Sequence, residues 1–131
     1  IKHTLLNHSE HKIPFTQLKA AVAECKKLGI EVVACADTPA EAKKIAALKP
    51  DYIAVEPPSL IGGDVSVTTK PQIVRNALKA VGKIPLLVGA GVKTAEDVRV
   101  AKELGAVGVL VASGVVKAKN PRKVLESFSQ H

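Results

Sequence analysis

Glu56 closes a short, wholly apolar run, Tyr52-Ile53-Ala54-Val55, and is followed at once by Pro57 and Pro58, then Ser59, Leu60, Ile61 and Gly62. An apolar run of this length bounded by proline reads as a buried strand. A carboxylate at the point where a parallel strand hands over to its loop sits where α/β folds place their chemistry. The two prolines fix φ and stiffen the start of that loop, whereas Gly62 leaves its far end permissive. A carboxylate beside a loop built to move as a unit predicts a general base under a lid. The second candidate is His8, in Asn7-His8-Ser9-Glu10-His11 at the end of another apolar run, level with Glu56 in a parallel sheet. Polar residues crowd around it and can fix its tautomer. His3 and His11 offer a metal-binding alternative, but their spacing matches no standard zinc pattern and no cysteine is near, so no metal is expected.

Two glycine-rich turns supply the third feature: Val88-Gly89-Ala90-Gly91-Val92 and Val111-Ala112-Ser113-Gly114-Val115. Turns of this kind let backbone N–H groups face an anion, and a helix N-terminus beyond them adds its dipole. Tight strand-to-helix turns also use glycine for steric reasons alone. In barrels the phosphate site comes from the loops after strands 7 and 8, and these are the last two strand-to-helix loops of the chain.

The elements that must carry these residues follow from periodicity. Apolar runs at Thr4–Leu6, Glu31–Ala36, Tyr52–Val55, Pro85–Gly89 and Val107–Ala112 predict strands. Pro14–Leu28, with Phe15, Leu18, Val22 and Cys25 on one face, predicts a helix closed by Gly29. Thr38-Pro39-Ala40-Glu41 and Thr94-Ala95-Glu96-Asp97 predict capped helix starts, and Lys70–Val81 and Pro121–Phe128 two more helices. The resulting β-α alternation, at roughly 20–35 residues per unit, is that of βαβ repeats. One α/β domain over 1–131 with a parallel sheet is expected. An open doubly wound sheet and part of a (β/α)8 barrel both satisfy this pattern; five strands alone cannot close a barrel.

Composition sets the outer bounds. The chain has 131 residues, enough for one domain with a real core, and nearly half are apolar, mostly Val, Ala, Leu and Ile. Aromatics are confined to Phe15, Tyr52 and Phe128. The net charge of +7 comes from lysines scattered along the helices, which fits a solvated surface or attraction for a small anion. Without an aromatic platform, nucleic-acid binding gains no support. No apolar stretch is long enough to span a bilayer, and the start at Ile1 shows no signal-peptide pattern. Cys25 and Cys35 form no CxxC pair and read as unbridged, small buried hydrophobes in a reduced, cytoplasmic setting. The chain lacks methionine and begins at Ile1, so it reads as a portion of something longer.

Together, Asn7-His8-Ser9-Glu10, Val55-Glu56-Pro57-Pro58 with Leu60-Ile61-Gly62, Gly89-Ala90-Gly91 and Ala112-Ser113-Gly114 closely resemble the triosephosphate isomerase family, in particular its compact archaeal branch. The resemblance covers the whole chain, as the fourth to eighth βα units of a TIM barrel. It implies His8 as electrophile, Glu56 as catalytic base and Glu10 as a supporting acid. It implies Ile61 and Gly62 as the lid's hinge end, and Gly91, Ala112, Ser113 and Gly114 as the phosphate cradle. A Glu base, a neutral His electrophile and a loop that excludes water form a mechanism for which this family is itself the type example. No metal or organic cofactor is implied; the substrate is a phosphorylated triose, and the assembly a homo-oligomer, a tetramer in that branch. The lid departs from the family in Gly62-Gly63-Asp64, where Gly-Thr-Gly is usual. The first three units, with the family's strand-1 asparagine and lysine, lie outside the chain. Two rivals stand beside this reading. Another phosphate-binding barrel enzyme such as an aldolase would need a lysine at a strand end, but Lys70, Lys93 and Lys117 fall in loops or helix starts. A half-barrel with exposed edges could instead be a non-catalytic fragment or assembly module.

Overall fold

Each of the apolar runs becomes a strand in the computed structural model, which describes residues 1–130. β1 is His3–Leu6, β2 Glu31–Ala36, β3 Tyr52–Val55, β4 Leu86–Val88 and β5 Gly108–Val109. All neighbours pair in parallel, in the order β1-β2-β3-β4-β5. A doubly wound sheet reverses its strand order at a switch point; this sheet never does. A right-handed crossover at every step places the helices on one face, which is the barrel arrangement. The described residues thus form a five-stranded part of a (β/α)8 barrel. The Val107–Ala112 run is strand only at Gly108–Val109. It has one neighbour, β4, and its pairing ends with Val107 N–H to Leu86 O and Leu110 N–H to Val88 O. Beyond that point the chain turns into a short helix.

The helices are α1 (Phe15–Lys27), α2 (Pro39–Ala46), α3 (Pro71–Val81), α4 (Ala95–Leu104), α5 (Ser113–Val116) and α6 (Pro121–Phe128). α4 begins with the full reciprocal cap: Thr94 Oγ1 accepts the Asp97 N–H and Asp97 Oδ2 accepts the Thr94 N–H. α2 has only half of it. Thr38 Oγ1 accepts the Glu41 N–H, but the Glu41 carboxylate turns away toward Asn7 and Lys12. Among the described residues no helix is long and apolar enough to cross a membrane.

The sheet has two unlike faces. Val32, Ala34, Ala36, Ile53, Val55, Leu86 and Val88 alternate toward the helices and are almost completely buried there with Leu18, Ile45 and Val74. On the opposite, concave face the register aligns Leu5, Val33 and Tyr52 in one layer, and Cys35, Ala54 and Leu87 in the next. That face is apolar yet incompletely covered, since Leu5 keeps 47% of its surface. Glu56 lies two residues beyond Ala54 and therefore projects from the concave face, above this second layer.

Candidate active site

Glu56 extends the β3 ladder by donating its N–H to Ala36 O at 3.0 Å, so its backbone is set by the sheet and not by the loop. Its side chain is buried, and Oε1 has no hydrogen-bond partner. His8 Nε2 stands 3.3 Å from it, close enough for electrostatic contact but not aligned as a hydrogen bond. Burial pushes the Glu56 carboxyl above the usual glutamate range, with Asp37 and Glu10 adding to the shift and His8 opposing it. A buried, unsatisfied oxygen facing a cavity is a group poised to take a proton.

The raised value makes a prediction about stability. The folded protein holds the Glu56 proton more tightly than the unfolded chain does. Ionising this group therefore costs folded-state stability, by an amount that grows as pH rises from the ordinary carboxylate range to the raised value and is then constant. Glu56→Gln is expected to raise Tm at neutral pH by on the order of a few degrees, with the gain vanishing below the ordinary glutamate range. Melting curves across that pH range check this, and a lower Tm at neutral pH would contradict it.

His8 precedes a 3-10 turn at Ser9–His11, and its Nδ1 accepts the Glu10 backbone N–H at 3.2 Å. A backbone N–H can only donate, so Nδ1 must be the acceptor, and the proton of the neutral ring sits on Nε2. That nitrogen lies on the Glu56 side of the ring, at the cavity. Glu10 thus fixes the His8 tautomer through its main chain, and the residue also lines the cavity. His3 is elsewhere, its Nε2 2.9 Å from Glu31 on the surface. Among the described residues no cluster of three or more His, Cys, Asp or Glu is arranged to hold a metal ion.

The cavity, about 400 Å³, brings together His8, Glu10 and Glu56 with Ile61 and Gly62 from the lid and Gly91, Ala112 and Ser113 from the two glycine-rich turns. Gly114 is the one predicted site residue outside it. It lines the neighbouring depression with Lys93 and Lys117, and a Cβ there would stand 2.8 Å from Val92 O. The missing Cβ at Gly114 lets α5 start hard against the β4–α4 loop. Gly91, at φ 72°, faces a second constraint: a Cβ would meet Val65 O of the lid at 2.1 Å.

The lid leaves β3 through buried Pro57 and a turn at Pro58–Leu60, and turns again at Gly62, where φ is 69°. Its far end is moored. Val67 N–H donates to Ala90 O at 3.0 Å, and Thr68 Oγ1 bridges Ser66 Oγ and Asp97 Oδ1, each at 2.8 Å. Burial alone would raise the Asp97 carboxyl, but hydrogen bonds from Lys93, Thr68 and Thr94 outweigh it and hold the group below the usual aspartate range. An exposed ion pair, Lys93 Nζ to Asp64 Oδ1 at 3.2 Å, joins lid and turn again.

One contributor was missed by sequence reasoning, Gly89: a Cβ there would stand 2.4 Å from Glu56 Oε2 and 2.7 Å from its Cγ. The absence of a side chain at Gly89 is what leaves Glu56 its place. Gly89→Ala is expected to fold, to displace the carboxylate and to lower turnover in the full-length protein about tenfold; unchanged turnover would show that Glu56 has room to spare. Cys35, at the end of β2, is buried, and burial followed by the nearby Glu56 charge pushes its thiol up to about 12, leaving it unreactive near neutral pH.

Comparison with known proteins adds ancestry to this geometry. Residues 1–128 match the profile of the family described as triosephosphate isomerase. The chain is 46% identical over 132 residues to triosephosphate isomerase of Methanocaldococcus jannaschii, covering 97% of this chain and 60% of that protein. It is 46% identical over 128 residues to the Thermoplasma volcanium enzyme of that name, covering 95% and 60%. Thiamine phosphate pyrophosphorylase of Pyrococcus furiosus superposes with a TM-score of 0.70 over 98% of this chain and 56% of its own, at 18% identity, a likeness of fold alone. The chain spans about 60% of the length of the curated relatives it matches.

Proposed function

Because the chain belongs to the triosephosphate isomerase family, we propose that residues 1–131 supply the fourth to eighth βα units of an enzyme that interconverts dihydroxyacetone phosphate and glyceraldehyde 3-phosphate. The observation that carries this reading is the pairing of His8 Nε2 with the unsatisfied Glu56 carboxylate, 3.3 Å apart at the wall of a cavity edged by glycine-rich turns.

The chemistry follows from the two side chains. Glu56 takes a proton from the carbon beside the substrate carbonyl, and its raised proton affinity brings it nearer in strength to that acid. His8 donates its Nε2 hydrogen bond to the oxygen on which negative charge develops, stabilising the enediolate. Glu56, now protonated, returns the proton to the neighbouring carbon, so the isomerisation leaves no net change in charge or electrons. Backbone N–H groups at Gly91, Ser113 and the Gly62 end of the lid hold the phosphate, whose binding contributes to lid closure. Closure keeps water from the enediolate and prevents loss of phosphate. We assign the enzyme to glycolysis and gluconeogenesis in the cytoplasm and expect a homo-oligomer, a tetramer by family resemblance.

The test is an isomerase assay of the full-length protein in deuterated water. Deuterium should appear at the carbon that exchanges its proton through Glu56. Deuterium at a carbon other than the two that share the enediolate would remove that route, and no conversion would remove the reading.

A further inference from the structure

Asn7 takes no part in the chemistry proposed above, yet its buried side chain has every polar group engaged. Nδ2 donates to Cys35 O at 3.1 Å, at the end of β2, and to Glu41 Oε1 at 2.9 Å, in the first turn of α2. Oδ1 accepts the Ile13 N–H at 3.1 Å. Glu41 is held in turn by Lys12 Nζ and, at 3.4 Å, by the Asp37 N–H. The Asn7 backbone is left-handed, φ 64°, a conformation that asparagine tolerates and glycine adopts freely.

These facts separate two roles. Glycine would satisfy the turn with less strain, so the turn alone does not call for asparagine. The amide is what glycine lacks, and it does two things at once. It ties the end of β1 to β2 and α2, and through Ile13 it clasps the far end of the 7–13 loop back to its beginning. His8 lies between the two fastenings, with its ring set by the Glu10 N–H of the same loop. We propose that Asn7 is a positioning residue for His8: its amide locks the 7–13 loop onto β2 and α2 and so holds the imidazole opposite Glu56.

The kinetic part of the test rests on the isomerase reading. Asn7→Gly in the full-length protein keeps the left-handed turn and deletes all three hydrogen bonds. Since misplacement of a reacting group by about 1 Å can cost on the order of 10²-fold, kcat is expected to fall about 10- to 100-fold, with KM held within about twofold. The second readout needs no substrate. Nitrogen-15 NMR of the imidazoles should show His8 in the parent with an unprotonated Nδ1 and a protonated Nε2, and in N7G with both signals moved toward exchange-averaged positions. If N7G does not fold, Glu41→Ala, which removes one of the three anchors from a half-exposed position, should move both readouts the same way by a smaller amount. Parental kcat and parental His8 signals in a folded N7G, or in E41A where N7G does not fold, would overturn the proposal. So would a fall in kcat with the His8 signals unmoved, which would mark a merely structural defect. A parent protein without isomerase activity would sink the functional reading, and the NMR comparison would still decide the role of Asn7.

Discussion

Shortening Glu56 to aspartate in the full-length protein is expected to leave substrate binding nearly intact and to cut turnover about 10²-fold. The carboxylate retreats by about 1 Å when one methylene is lost, and a displacement of that size is enough for such a drop. Glu56 has no means of compensating. Its backbone is fixed in the β3 ladder by the bond to Ala36 O, and the stiff Pro57-Pro58 pair follows immediately. Retreat also takes the carboxylate away from His8 Nε2 and the cavity, toward an apolar layer that offers it no donor. The phosphate contacts proposed above, at Gly91, Ser113 and the far end of the lid, do not involve the Glu56 side chain, so KM should barely change while kcat falls, the pattern of an interaction made only in the transition state. Steady-state kinetics with both triose phosphates measure this. Full activity in E56D would remove Glu56 from the role of base.

The polypeptide of residues 1–131, made alone, is expected to show no measurable isomerase turnover and to self-associate. β1 pairs only with β2, and β5 only with β4, so two sheet edges present unpaired backbone groups. The concave face beneath the site is apolar and partly bare, with Leu5 47% exposed, and Val107 and Leu125 stand 54% and 52% exposed elsewhere. Surfaces of this kind are covered by association when no further strands cover them. His8 sits on the loop that follows the free edge strand β1, where placement to about 0.5 Å is hardest to maintain. The coupled measurement is an isomerase assay and a mass determination by light scattering on the same sample. A monomer with near-native turnover would show that five strands suffice and that no contact from further units is needed.

How much of this was legible in the sequence varies by feature. Strand positions followed from short apolar runs, because a strand buried on its helix side leaves a local signature; β5 came out shorter because its extent depends on a neighbour and not on its own residues. Periodicity left the choice between barrel and doubly wound sheet open, since strand order is a property of the whole sheet; the motifs that resemble the triosephosphate isomerase family decided it for the barrel. Thr94-Asp97 read correctly as a full reciprocal cap; Thr38 caps α2 as expected, but the return bond from Glu41 is missing. Glu41 is drawn off by Asn7, a contact across 34 positions that no local rule can anticipate. His8 and Glu56 stood out by residue type at strand ends. Gly89 did not, because a glycine carries no mark of which side chain needs the space it leaves. Gly114 was read as part of an anion cradle; the structure adds a packing constraint at the same glycine, which no local pattern announces.

The strictly sequential strand order bears on how the molecule forms. Every pairing in the sheet joins strands separated by a single βα unit, so each step of assembly closes a loop of similar, modest length. Such local contacts favour rapid formation of this part, with no step that waits on a distant partner. In the closed barrel proposed here, one contact breaks that rule: the free edge of β5 must meet a strand from the opposite end of the polypeptide. That closure would carry the largest sequence separation in the proposed barrel, and contact order makes it the step expected to be slowest.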